Sequence, residues 1–285
     1  SQIIKKSGLM EFWEPEDINN VGGLQNLKLY IQKRAQAFSP ENSTLPQLKG
    51  ILLVGIPGTG KSLASKATAS ILGWPLIRLD ISALKGSLVG QSELRMRQAT
   101  GLIDAFGKCV VWIDEIEKAF SGTKSSGETD GGTTASMFGY FLTWMNETNS
   151  QVLVMATANN ISQLPPELLR AGRFDATFFV DLPVKSERQE IIRIMNKKHN
   201  SKIPLSYAEN LLGYTGAEIE QLAKDSLYDG LEEAYNNLVP LSRTMREEIQ
   251  SLREWAKTRA RLANTPEAEP EETRKIRHKT KGEQS

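Results

Sequence analysis

The chain has 285 residues with 35 Lys+Arg against 34 Asp+Glu, a net charge of +1, which excludes a chain-wide electrostatic footprint for DNA, RNA or an anionic membrane surface. A hydrophobic fraction of 39% is enough for a packed core, and at about 150 residues per domain the length predicts roughly two domains. One cysteine, Cys109, rules out an intramolecular disulfide and a cysteine-rich zinc site, fits a reducing compartment, and reads as a small core residue; two histidines, His199 and His278, leave little for a histidine-centred metal site.

The chain opens at Ser1 with no initiating Met and no apolar stretch of signal-peptide type, as a processed form or an excised piece would. Its apolar runs are all far shorter than a membrane span needs. Leu24, Leu27, Ile31, Ala35 and Phe38 fall on one helical face. Five short apolar runs then read as strands: Ile51–Val54, Leu76–Leu79, Cys109–Ile113, Val152–Thr157 and Thr177–Val180. They are near-continuous rather than alternating, with helical patterns between them, so the expected class is α/β: a five-stranded parallel sheet covered by helices on both faces. Ser121–Thr134, rich in Gly, Ser and Thr, reads as a loop.

After Pro183 the strand-like runs stop. Ser186-Glu-Arg-Gln189 and Thr215-Gly-Ala-Glu218 both read as capping boxes that start helices. Met245, Ile249, Leu252, Ala256 and Ala263 recur at helical spacing among charges, as in an amphipathic helix packed on the body or on a neighbouring subunit. From Thr265 on, Pro, Glu, Lys and Arg dominate, and the segment reads as a solvated tail.

The chemistry concentrates in two places. Gly55-Ile-Pro-Gly-Thr-Gly-Lys-Ser62 matches G-x-x-x-x-G-K-[ST] in full, between a strand and a helix. Such a loop turns backbone N–H groups toward phosphates, and the following helix adds the positive end of its dipole. Ile56, Pro57, Gly58, Thr59, Gly60 and Leu63 are therefore assigned to the nucleotide with Lys61, which would reach the β- and γ-phosphates, and Ser62, whose hydroxyl would bind Mg²⁺. The second place is Cys109-Val-Val-Trp-Ile-Asp-Glu115, an acidic pair at the carboxyl end of a buried strand, where an open α/β sheet puts its ligands. Asp114 would hold Mg²⁺ and Glu115 would polarise an attacking water, while Glu117 reads as a surface carboxylate.

With these motifs in place, residues 14–236 resemble the AAA+ ATPases, specifically the group containing membrane-protease, unfoldase and remodelling rings. Asp17-Ile-Asn-Asn-Val-Gly-Gly-Leu24 looks like the family's entry segment, with Val21 and Gly22 at the adenine. Asn159 matches the residue that orients the lytic water, and it precedes Gly172 by 13 residues, as in the family's pattern. Arg170 and Arg173 match the arginine fingers supplied to an adjacent site, and Gly216-Ala217 matches the turn that closes over the nucleotide. Strings such as Trp112-Ile-Asp-Glu-Ile-Glu-Lys-Ala-Phe120 and Leu252-Arg-Glu-Trp-Ala256 look closest to a hypothetical-reading-frame group of cyanobacteria and algal plastids.

The resemblance implies a large nucleotide-binding α/β domain over 1–185 and a small all-helical lid over 186–240, to which the residue pattern adds a C-terminal amphipathic helix over 241–264 and the composition a disordered tail over 265–285. It implies ATP/ADP and Mg²⁺ as cofactors, hydrolysis of ATP to ADP and phosphate, a homo-oligomer in the form of a hexameric ring, a protein client, and a cytoplasmic or plastid-stromal location. Lys85-Gly-Ser-Leu-Val-Gly90 aligns with the central-pore loop but carries Leu88 where threading members place an aromatic. That departure keeps a second reading open, a slow-cycling nucleotide-gated assembly protein that threads nothing. No H-E-x-x-H occurs, so no fused metalloprotease is read, and no basic stripe interleaved with aromatics points to a nucleic-acid motor.

Overall fold

The computed structural model describes residues 8–42, 44–84, 91–120, 129–170 and 172–265. The pore-loop alignment with Leu88, the loop residues 121–128 and the tail beyond Thr265 lie outside them. Five central strands match the runs read from sequence: β2 (Gly50–Gly55), β3 (Leu76–Leu79), β4 (Cys109–Ile113), β5 (Val152–Ala158) and β6 (Ala176–Val180), following a first strand β1 (Met10–Trp13) and preceding a short β7 (Arg261–Leu262). The sheet order is β1-β3-β4-β5-β2-β6-β7. Among the described residues the expected count of five is therefore corrected to seven. Strand β1 runs antiparallel along β3, with Met10 opposite Leu79, and β7 runs parallel to β6, with Phe178 opposite Arg261. Both additions cover an edge of the central sheet, where unpaired N–H and C=O groups select a partner that short, weakly patterned segments do not announce on their own.

The five central strands are buried on both faces because their residues alternate between two cores. Leu52, Val54, Val111, Ile113 and Val154 share one cluster with Leu84 of the short α3 (Ile81–Leu84), Met96 and Ile103 of α4 (Gln91–Phe106), Phe138 and Phe141 of α5 (Thr129–Glu147) and Leu168 of the short α6 (Pro166–Leu169). Ile51, Leu53, Val110, Trp112 and Leu153 share the other with Leu27 and Ile31 of α1 (Gln25–Ala35) and Ala64 and Ala67 of α2 (Lys61–Leu72). Period-two alternation with both sides apolar yields the continuous runs seen in the sequence.

Helix α5 corrects the last part of the loop read over Ser121–Thr134, residues 129–134, since it begins at Thr129. The glycines at 131 and 132 disfavour a helix by about 1 kcal/mol each, but Met137, Phe138, Phe141, Leu142 and Met145 behind them bury a continuous stripe against the main core.

Beyond β6 lies a third core of Ile191, Ile192, Met195, Leu211, Ile219 and Leu222. It is built from α7 (Lys185–His199), α8 (Gly216–Asp225) and α9 (Leu231–Asn237). Helix α8 has the expected capping box: the Glu218 N–H donates to Thr215 Oγ1 at 3.3 Å and the Thr215 N–H to Glu218 Oε2 at 2.7 Å. The other box is corrected. Helix α7 starts at Lys185, and the Val184 N–H donates to Glu187 Oε2 at 3.1 Å, so Ser186 lies inside the first turn.

Helix α11 (Arg246–Arg259) follows a short α10 (Leu241–Thr244) and returns to the large body, where Leu252 and Ala256 join the first core. Arg253 clamps Asp181 through Nε at 2.9 Å and Nη2 at 2.9 Å. Ala263, read as a helical position, lies past the end of α11 and is buried in the second core beside β7. Among the described residues no helix is long and apolar enough to cross a membrane.

Candidate nucleotide site

A cavity of about 1060 Å³ opens at the carboxyl ends of β2, β4 and β5, between the sheet and the helices of the third core. The loop leaving β2 forms its floor. Gly58 has φ +76° and Gly60 φ +93°, the left-handed region where a side chain is strained. A Cβ on Gly58 would also stand 3.0 Å from Thr215 Oγ1 and 3.1 Å from Ala217 Cβ. The missing side chain lets the start of α8 close on the loop, and the Ala217 N–H donates to the Gly58 carbonyl at 3.0 Å. Pro57, Gly58, Thr59, Gly60, Lys61, Ser62 and Leu63 all line the cavity, as do Gly216 and Ala217; Ile56 is buried at its base, where its carbonyl accepts from Thr59 Oγ1 at 2.7 Å.

Lys61 is 5% exposed, and its Nζ donates to the carbonyls of Gly55 at 2.9 Å and Ile56 at 2.6 Å. Burial pulls its pKa down to about 8, against the opposing fields of Glu117, Asp114 and Glu115. A desolvated ammonium ringed by carboxylates gains from a polyanion that arrives in the cavity.

The end of β4 and the end of β5 are stitched into one hydrogen-bonded chain. Ser62 Oγ and Thr157 Oγ1 each donate to Asp114 Oδ1 at 2.7 Å, and the Glu115 N–H donates to Thr157 Oγ1 at 2.9 Å. Asn159 Nδ2 donates to Glu115 Oε1 at 2.8 Å. Glu115 itself sits at φ +50°, a left-handed conformation that costs a non-glycine residue about 1–2 kcal/mol and is held here by those bonds. Lys118 forms an ion pair with its outer oxygen.

Ser62 and Asp114 bring a hydroxyl and a carboxylate together as hard oxygen donors. Magnesium is bound in this way, through one or two carboxylates with phosphates and waters completing the shell. Among the described residues there is no group of three or more His, Cys, Asp or Glu side chains that could hold a metal without such help.

The opposite wall comes from three distant pieces. Val21 is buried and Gly22 lies against α7, where a Cβ would stand 2.6 Å from Ile191 Cγ1. Ile191, Ile194 and Met195 present an apolar surface suited to a flat base. Glu187, 3% exposed, holds this wall together: Oε1 accepts from the Leu24 N–H at 2.9 Å and Oε2 from Asn264 Nδ2 at 2.8 Å. Glu190 accepts from the Gly23 N–H at 2.8 Å, and Asn264 Oδ1 accepts from the Asp181 N–H at 2.9 Å.

Two placements differ from the rest. Arg170 is exposed and Arg173 half-buried, and neither lines the cavity of its own chain. Glu117, read as a surface carboxylate, is 4% exposed, and burial raises its pKa. The turn Ile116–Phe120 carries it inward, and its Oε1 accepts the Asn159 N–H at 2.8 Å. Sequence reasoning also missed Thr157, whose only signal is a hydroxyl in the otherwise apolar strand β5, and it missed Glu187 and Asn264, which have no local signal at all. Cys109 has its thiol pKa raised to about 12 by burial, which leaves it inert.

Residues 51–182 match the family described as the ATPase family associated with various cellular activities (AAA). The chain is 44% identical to the AAA domain-containing protein ycf46 of Pyropia yezoensis over 274 residues, 90% of this chain and 55% of that protein. It spans about half the length of such curated relatives. Among solved structures it superposes on the FIGL-1 AAA domain with a TM-score of 0.70 and 21% identity, covering 92% of this chain and 95% of that one. On the same domain in complex with ADP the TM-score is 0.64 at 21% identity, covering 91% and 96%.

Proposed function

This chain belongs to the AAA ATPase family, and on that premise we propose that it is a magnesium-dependent ATPase that works as a hexameric ring and couples hydrolysis to remodelling of a protein client. The observation that carries the chemistry is the bonded chain from Ser62 through Asp114 and Thr157 to Glu115 and Asn159.

The loop amides and the Lys61 ammonium hold the β- and γ-phosphates, and Ser62 and Asp114 would hold the ion. When bound, magnesium would supply positive charge that offsets the charge developing on the phosphate oxygens. Glu115 accepts a proton from water as that water attacks the γ-phosphorus and the bond to the β–γ bridging oxygen breaks, leaving ADP. The Asn159 carboxamide orients Glu115 and the water. Val21, Gly22 and the apolar face of α7 receive the adenine, and Gly216 and Ala217 close on the phosphate loop from the small helical domain.

Arg170 and Arg173 act on a neighbour's site. Their position away from the cavity of their own chain supports that role, because a finger supplied in trans ties turnover to assembly, and such an arginine is worth about 10³–10⁵ in rate. The cytoplasm, or the stroma of an algal plastid, is the location that fits.

The decisive experiment pairs hydrolysis with size-exclusion light scattering. Glu115→Gln is expected to bind ATP and assemble while turnover falls about 10²–10⁴-fold. Undiminished hydrolysis in that variant removes the assignment of Glu115. The double variant Arg170→Ala, Arg173→Ala is expected to assemble and fail to turn over; parental hydrolysis removes the role in trans. Stimulation by an unfolded client supports remodelling, and nucleotide-dependent assembly without a client response supports the slow-cycling alternative.

A further inference from the structure

Glu117 has no part in the chemistry described so far, yet it sits beside it. Its carboxylate is 4% exposed, one oxygen accepts the Asn159 N–H at 2.8 Å, and the other is buried with no hydrogen-bond partner. A buried carboxylate satisfied on one side alone is expensive to keep. A neutral acceptor would close one amide at a smaller cost.

What that amide does accounts for the expense. The ladder between β2 and β5 ends at the pair Val54–Ala158, so the sheet sets the backbone up to Ala158 and no further. Asn159 is the next residue, and its carboxamide must reach Glu115 Oε1, which it does at 2.8 Å. Glu117 supplies the main-chain anchor that the sheet no longer provides. Glu115 meanwhile has a competing partner in Lys118, an exposed ammonium on the outer side. An Asn159 that drifts leaves Glu115 to that ion pair, which points it away from the cavity.

We propose that Glu117 is a positioning residue for hydrolysis: it holds the Asn159 backbone so that the Asn159 carboxamide keeps Glu115 turned toward the attacking water. The proposal rests on the reading of Glu115 as the group that activates water. It assigns Glu117 no contact with nucleotide, so it separates turnover from binding.

The test uses the whole chain and three variants, Glu117→Leu, Glu117→Gln and Glu115→Gln. Three measurements are made on each: ADP affinity, ATP turnover, and hydrogen exchange of the peptide containing Asn159 in the nucleotide-free protein. Glu117→Leu is expected to lose protection at Asn159 and about 10²-fold in kcat, the scale of a small misplacement of a catalytic group. Its ADP affinity is expected to stay within about threefold of the parent. Glu117→Gln retains an acceptor and is expected to recover most of the protection and a large share of the turnover. If Glu117→Leu does not fold, Glu117→Asn, an acceptor one methylene short, replaces it with the same expectations.

Parental kcat in Glu117→Leu, or an equal loss of affinity and turnover, overturns the proposal. So does unchanged exchange at Asn159. Failure of the underlying reading has a different signature: Glu115→Gln hydrolyses ATP at the parental rate, and the proposal falls with it.

Discussion

The two walls of the cavity are built in opposite ways. The phosphate wall comes from one contiguous loop and two adjacent strand ends, and its key bonds join residues brought together by neighbouring strands β4 and β5. The base wall is assembled from Val21–Leu24, α7 and the chain's return at Ala263–Asn264, and Glu187 bonds Asn264 across 77 positions. In the proposed function the phosphate wall carries the chemistry, while the base wall carries the connection between that chemistry and the rest of the molecule. A change in the first should appear in turnover, and a change in the second in stability and affinity together.

Lys61→Ala sharpens that contrast most. It removes a buried ammonium whose pKa is already pulled down by desolvation, so the fold loses little. Turnover is expected to fall about 10³-fold, the scale of losing a fixed electrostatic clamp, with a urea midpoint equal to or above that of the parent. A large stability loss would break the contrast.

Glu187→Ala is expected to do the reverse. It strands the buried donors of Leu24 and Asn264 and the partly buried one of Val184, at a cost of about 2–3 kcal/mol read from urea unfolding. ADP affinity should fall with it, because Val21 and Gly22 lose their tether, whereas single-turnover hydrolysis of bound ATP should change much less.

Asn264→Ala is the milder form of the same experiment, with about 1–2 kcal/mol lost as Glu187 and the Asp181 amide each lose a partner. It tests whether the last described turn of the chain supports a wall formed largely by much earlier residues. An unchanged urea midpoint would remove Asn264 from the base wall.

The smallest effect concerns Glu220 at the cavity rim. Burial alone would raise its pKa, but hydrogen bonds from Lys198 and His199 and the charges around it hold the value down at about 2. Its folded pKa lies below the ordinary value of 4.5, so its contribution to stability is complete above that pH and disappears as pH falls toward about 2. Lys198 and Lys224 are about half exposed, which limits the gain to less than about 1 kcal/mol. Glu220→Gln should flatten acid unfolding within that window by lowering neutral stability, by less than about 1 kcal/mol, while leaving stability at the acid end unchanged; an unaltered acid limb would remove the pair from the account.

Legibility from sequence follows the same division. Strands β2 to β6 could be read because burial on both faces writes itself as a continuous apolar run. The glycine-rich loop at the cavity floor stood out because its proposed task, wrapping backbone amides around phosphates, demands glycines, a lysine and a hydroxyl at fixed spacing. Glu117 was misread because its neighbours suggest a charged helix surface, and only the turn Ile116–Phe120 rotates it inward. Strands β1 and β7 were missed because their pairing was decided by free edges elsewhere in the chain.

The sequence by itself determined the class of fold, the five central strands and which glycine-rich loop and acidic pair meet at the cavity, because those features need particular side chains at short, fixed separations. Only the tertiary structure decided which carboxylates are buried, how Asn159 is aimed and how the C-terminal return locks the entry segment. Those depend on contacts between positions far apart in the chain, and no local pattern of residues encodes the meeting of Leu24, Glu187 and Asn264.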